Sequence, residues 1–332
     1  KDVIKLASNE NHLGAAPSAL KALEQSIKEI HLYPDGGGYN LKQALSEKYG
    51  FKPEEIVLGN GSTEIVELIC EAFLNPGDKV VTGWPAFFKY RIAVRIMDGV
   101  PVEIPLKDHT HDLDAMYDAI DENTRIVFIA DPNNPTGTLL EKDRLADFIE
   151  KVPENVIIVL DQAYYEYIPP EKRIDVNKYI REGRNLVVLR TFSKIYGLAG
   201  LRIGYGFARP EIAAEMNKVR EAFNCSSLAQ DAATAALKDE DFVRETLKMN
   251  QTALRAMYRG FDEMGLEYVP SATNFVLVDF KRDGAEVFVE LLKRGVIVRP
   301  MKGYDLPESA RISTAPLKDI EYFLDKLLEV IL

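Results

Sequence analysis

Cysteine is nearly absent from this 332-residue chain, which has only Cys70 and Cys225, far apart in sequence. Two thiols so placed form neither a disulfide framework nor a metal knuckle, and each reads as a small buried apolar side chain in a reducing compartment. Histidine is scarce too. His12, His31, His109 and His111 share no helix face, and the last two fall in a polar loop, so no metal-ligating cluster is expected. No apolar run approaches the ~20 residues of a membrane span and no basic-then-apolar leader opens the sequence, so a cytoplasmic protein is the expectation. Positive charge is in deficit. The formal net charge of -11 argues against nucleic acid or an anionic membrane as a partner, and any anionic ligand must be gathered by local cations.

What is present is ordinary in amount and informative in order. An apolar share of 46% and a charged share of 28% suit a globular protein, and the length suits a large domain with a smaller companion. Short β-branched and apolar runs recur between helical patterns at 56–58, 79–82, 100–104, 125–130, 156–161, 186–190 and 203–208. This alternation predicts an α/β fold with a seven-stranded, mainly parallel sheet flanked by helices on both faces. After Gly61, the stripe Ile65, Leu68, Ile69, Ala72 and Phe73 predicts an amphipathic helix that Asn75-Pro76-Gly77 stops. Beyond about 208 the pattern becomes long and helical, then gives strand candidates at 275–280, 296–300 and 311–314. The expected division is a large domain over 31–238, and a smaller α+β domain built from 1–30 and 239–332.

The segment Arg190-Thr191-Phe192-Ser193-Lys194 through Arg202 carries the most chemistry. A lysine flanked by hydroxyls, with an arginine two helical turns on, is how an aldehyde-bearing phosphate ester would be held: the amine condenses with the aldehyde and the other groups donate to the phosphate. Four further motifs fall at predicted strand ends, where open α/β sheets place ligands. Gly59-Asn60-Gly61-Ser62-Thr63 would present helix amides to a phosphate. It is not a dinucleotide fingerprint, because Glu64 occupies the third glycine position. Asp131-Pro132-Asn133-Asn134-Pro135-Thr136-Gly137 predicts a rigid loop that could mount the Asn134 amide. Asp161-Gln162-Ala163-Tyr164 ends an apolar strand, where an acid needs a cation or several donors, and a protonated pyridine nitrogen would be such a cation. Trp84-Pro85-Ala86-Phe87-Phe88-Lys89-Tyr90 offers aromatics that pack in a core or stack on a planar ring.

Taken together these residues resemble the fold type I pyridoxal-phosphate aminotransferases, specifically the histidinol-phosphate aminotransferase family, over essentially the whole chain. The resemblance implies a PLP-dependent ping-pong transfer between L-histidinol phosphate and 2-oxoglutarate, with pyridoxal 5'-phosphate as cofactor, in a homodimer with active sites at the subunit interface. The alternative it leaves open is an aromatic amino acid aminotransferase acting on phenylalanine or tyrosine. It implies that Lys194, Asp161 and Tyr164 are catalytic: Lys194 bonds to the cofactor aldehyde, Asp161 pairs with the ring nitrogen, and Tyr164 joins Asn134 in donating to the ring oxygen. Phe87 would stack on the ring. Gly61, Ser62, Thr63, Thr191, Ser193 and Arg202 would bind phosphate, with Tyr33 reaching in from the other subunit. Asn9, Tyr33, Arg299 and Arg311 would hold the substrate. Gln162, His12 and Thr314-Ala315-Pro316 depart from the family's usual residues, and none of them belongs to the cofactor set.

Overall fold

The computed structural model describes residues 3–331. Its strands are β1 Ile4–Lys5, β2 Ile56–Gly59, β3 Lys79–Trp84, β4 Val100–Pro105, β5 Thr124–Ala130, β6 Ile157–Asp161 and β7 Leu186–Thr191, followed by β8 Gly204–Phe207, β9 Glu267–Val269, β10 Phe275–Asp279, β11 Val296–Ile297, β12 Arg299–Met301 and β13 Leu306–Ser313. Seven of them form one sheet in the order β2-β8-β7-β6-β5-β3-β4, in which β8 alone runs against its neighbours. The expected seven-stranded, mainly parallel sheet is therefore present.

Its central strands are apolar along their middles because helices cover both faces. On β6, Ile158 and Leu160 enter one core layer while Ile157 and Val159 enter the other, and β7 divides Val188 and Val187 in the same way. At the edge, β4 carries Pro101 and Pro105, which withhold the amides that would invite another strand. The helix Ser62–Phe73 buries Ile65, Leu68 and Ile69 as its stripe demands, and the chain leaves it through Pro76 and Gly77, the latter at φ 88°.

The second body is an antiparallel sheet in the order β12-β13-β10-β9, with helices Glu240–Glu263, Gly284–Lys293 and Leu317–Ile331 packed around Met257, Phe261, Val276, Ile312 and Phe323. The expected strand over 296–300 is two short ones that pair differently, β11 with β1 and β12 with β13. A change of partner at Val298 is a tertiary event that a run of apolar residues does not display. The first thirty residues are shared out: Leu6 joins the small core, whereas Ala16 and Ala19 pack into the large one.

Because β3, β5, β6 and β7 run the same way, Trp84, Ala130, Asp161 and Thr191 finish at one edge of the sheet. The site is built there.

Candidate active site

Asp161 ends a strand that is otherwise wholly apolar, so its carboxylate meets the interior rather than water. Its Oδ2 accepts a hydrogen bond from the Tyr90 hydroxyl at 2.7 Å and its Oδ1 one from the Ala163 amide at 3.0 Å. Burial nevertheless holds its pKa above the usual carboxylate range, with these two donors pulling the other way. A cation at this point would lift that penalty.

Thr191 ends the adjacent strand and begins a hydroxyl chain. Its Oγ1 donates to Ser193 Oγ at 3.0 Å, the Ser193 amide donates back at 3.1 Å, and Arg202 reaches Ser193 Oγ at 3.3 Å. Opposite lies the helix Ser62–Phe73, whose first amides receive no side-chain cap. Gly61 precedes them at φ 77°, and a Cβ there would lie 2.6 Å from the Arg202 guanidinium. Glycine is thus required on two counts, and the two hydroxyls, the guanidinium and the open amides face one another across a gap that suits a phosphate.

Lys194 stands at the rim of this cradle, half-buried, with its Nζ 3.4 Å from the Ser8 carbonyl and 5.7 Å from the Tyr164 ring centroid. Burial first, then the positive charge of Arg311, brings its pKa down to about 8. An amine so placed is partly unprotonated near neutrality and can attack an aldehyde. Capture of pyridoxal phosphate by the cofactor-free protein should therefore quicken about tenfold per pH unit on approaching pH 8 and level off above it. Stopped-flow absorbance between pH 6 and pH 10 checks this, and a rate still climbing tenfold per unit above pH 9 would contradict it.

Of the residues singled out in sequence, Ser62, Thr63, Phe87, Asn134, Asp161, Tyr164, Thr191, Ser193, Lys194 and Arg202 line one cavity of about 230 Å³. Arg311 is buried and joined to this lining through Asn134, donating to Asn134 Oδ1 at 2.5 Å and to the Ala7 carbonyl at 2.9 Å, while its Nε has no acceptor among the described residues. Arg299 is the cross-strand neighbour of Arg311 and is exposed. Asn9, buried, donates to the Tyr164 hydroxyl at 2.8 Å and accepts from Ser313 Oγ at 3.1 Å. Tyr33 is not brought to the cavity within one chain. It is 84% exposed and stacks on Phe223 at 4.9 Å.

Two contributors are not apparent from the motifs. Asn133 staples the rigid loop by donating to Pro85 O at 3.1 Å and to Thr136 Oγ1 at 2.9 Å. Tyr90 lines the cavity three residues beyond Phe87, a spacing that puts both on one side of the chain where helix Lys89–Ile96 begins. His111 lies in a loop as expected, but there it is buried, with Nε2 3.1 Å from Ala130 O, and desolvation lowers its pKa to about 4. Cys70 and Cys225 are both buried, as expected of small apolar side chains. Among the described residues no cluster of metal-ligating side chains occurs, and no helix is long and apolar enough to cross a membrane.

The donor set fits pyridoxal phosphate: a near-neutral amine for its aldehyde, a phosphate cradle beside that amine, and a buried acid lacking a cation. This arrangement, at the carboxyl edge of a parallel sheet with a smaller companion body, places the molecule among the fold type I enzymes that use pyridoxal phosphate. Within that class the chain belongs to the class I and II aminotransferase family, whose pattern it matches over residues 1–327. A histidinol-phosphate aminotransferase of Moorella thermoacetica is 46% identical over 332 residues, covering 100% of this chain and 86% of the relative. One of Caldicellulosiruptor saccharolyticus is 46% identical, covering 99% and 92% respectively. The crystal structure of the histidinol-phosphate aminotransferase of Sinorhizobium meliloti in complex with pyridoxal-5'-phosphate superposes with a TM-score of 0.94 at 33% identity, covering 100% of this chain and 91% of that one.

Proposed function

We propose that this chain is a histidinol-phosphate aminotransferase, exchanging an amino group between L-histidinol phosphate and 2-oxoglutarate in histidine biosynthesis. The observation that carries the substrate assignment is Arg311, a buried guanidinium whose Nε has no partner among the described residues, close enough to Lys194 to depress its pKa. A guanidinium fork holds a phosphate monoester or a carboxylate equally well, so one site serves the phosphate-bearing donor and the oxo-acid acceptor in turn. Full-length likeness to relatives named for this activity supports the reading.

Pyridoxal phosphate, when bound, supplies the aldehyde carbon that carries the amino group and a ring that accepts the electron pair left by the departing α-proton. The chain does the rest. Ser62, Thr63, Thr191, Ser193 and Arg202 hold the phosphate, and Phe87 covers the ring. Asn134 has its Oδ1 committed to Arg311, which leaves its Nδ2 to donate, and it would do so to the ring oxygen. Tyr164 accepts from Asn9, so its own proton is free to donate to the same oxygen. Asp161 keeps the ring nitrogen protonated, and Lys194 carries the α-proton as general base and then acid. Arg311 and Arg299 anchor the substrate's anionic group, with Asn9 beside them.

The exposed Ile27, Ile30, Leu32, Tyr33 and Tyr39 suit a homodimer contact in which Tyr33 completes the partner's phosphate site. The proposed location is the cytoplasm. The proposed division remains 31–238 against 1–30 with 239–332, with helix Pro17–Ser26 lying on the large core.

With 2-oxoglutarate as acceptor, histidinol phosphate should turn over faster than phenylalanine; the reverse order would favour the aromatic aminotransferase. Arg311→Ala should weaken donor and oxo acid alike by about 1.5–3 kcal/mol, roughly ten- to a hundredfold in affinity. Steady-state KM values for both would show this, and an unchanged KM for either would remove Arg311 from that role.

A further inference from the structure

We propose that Tyr90 is a positioning residue for the ring-nitrogen contact: its phenol holds the Asp161 carboxylate as an anion and directs the remaining lone pairs into the cavity. The inference rests on the cofactor reading above and deepens it.

The geometry leaves the phenol little freedom. The Tyr90 ring lies flat on Phe128, with centroids 4.6 Å apart and planes 4° apart, and meets Phe87 edge-on at 5.7 Å and 85°. Phe128 is a wholly buried residue of β5, so the ring rests on the rigid sheet. Held in that plane, the hydroxyl lies 2.7 Å from Asp161 Oδ2. Oδ1 accepts from the Ala163 amide, so each carboxylate oxygen already has one fixed donor and keeps a lone pair for a cavity ligand. One residue thereby joins the side chain assigned to cover the cofactor ring with the one assigned to charge it.

A carboxylate walled by Phe87, Ala130 and Ala163 takes up a proton unless donors stabilise its charge, and a neutral carboxyl offers a pyridinium no counter-charge. Tyr90 supplies the only side-chain donor to Asp161 among the described residues. The phenol itself is held far above its ordinary pKa by burial and by the neighbouring Asp161, so it stays protonated as a donor across the working range. Lys194 adds a weaker electrostatic pull on the same carboxylate.

The test compares binding of two compounds by equilibrium dialysis: pyridoxal phosphate, and the analogue in which CH replaces the ring nitrogen. Tyr90→Phe, which keeps the stacked ring, should bind pyridoxal phosphate about tenfold more weakly than wild type and leave affinity for the analogue unchanged. Equal loss for both compounds would mean that Tyr90 only packs, and loss for neither would mean that Asp161 does not need it; each overturns the proposal. A ring-fluorinated tyrosine at the same position retains the packing and donates more strongly, so it should tighten pyridoxal phosphate alone; an unaltered ratio of the two affinities would count against the proposal even if Tyr90→Phe failed to fold. Wild-type protein that bound neither compound would overturn the cofactor reading and this one with it.

Discussion

Lys194→Ala should lower turnover by about four orders of magnitude, the upper end of what a positioned acid–base group contributes, because among the described residues no other amine lines the cavity. The loss is expected to be chemical and not structural. Lys194 is half-buried, its polar contact is a long 3.4 Å bond to the Ser8 carbonyl, and truncation relieves the repulsion from Arg311 that helps to depress its pKa. The variant should therefore fold, and should retain pyridoxal phosphate through Ser62, Thr63, Thr191, Ser193 and Arg202. Two measurements separate these roles. After borohydride treatment, mass spectrometry of the wild-type digest should find the cofactor's added mass on the peptide holding Lys194, and the variant should show none. A variant turning over within tenfold of wild type would remove this lysine from the reaction.

That lysine was legible in the sequence, and the reason is local. Thr191, Ser193, Lys194 and Arg202 lie within twelve residues, so a short stretch displays the lysine together with one wall of the phosphate cradle. The large sheet was legible for a different reason: covered on both faces, its strands are continuous apolar runs with turn residues at their ends. What escaped depends on contacts between distant parts of the chain. The Tyr90 hydroxyl meets a carboxylate 71 residues further on, and nothing in Phe87-Phe88-Lys89-Tyr90 tells a packed aromatic from a donor. Arg311 orients Asn134 across 177 residues. His111 follows the polar stretch Lys107 to Thr110, and the sequence does not show that the next turn carries it beneath Ala130. The strand β9 has three residues, too few for any periodicity to register. Tyr33 lies beyond both kinds of signal, since the proposed place for its hydroxyl is on a second copy of the chain.

Asp161→Asn should abolish most activity while costing the cofactor-free fold nothing. An amide has the same shape: its oxygen can accept from the Ala163 amide while its Nδ2 donates to the Tyr90 hydroxyl oxygen, but it carries no charge to keep the ring nitrogen protonated. Removing one partner of a buried ion pair costs about 3–5 kcal/mol, which corresponds to two to four orders of magnitude in kcat. KM for the amino donor should change much less, because Arg311 bonds to Asn134 and Ala7 and not to Asp161. Stability should move the other way. The folded-state pKa of Asp161 lies above its unfolded value, so the group favours folding when protonated, at low pH, and that contribution is lost as pH rises through the folded pKa. At neutral pH the empty site is thus a cost to the fold, and asparagine removes it. Thermal melting of the cofactor-free proteins at pH 7 should place Asp161→Asn at or above wild type, with the order reversed when pyridoxal phosphate is added, since wild type alone then gains the ion pair. A variant that melted well below wild type without cofactor would show that the carboxylate supports the fold, and the attribution of its lost activity to ring charge would no longer stand.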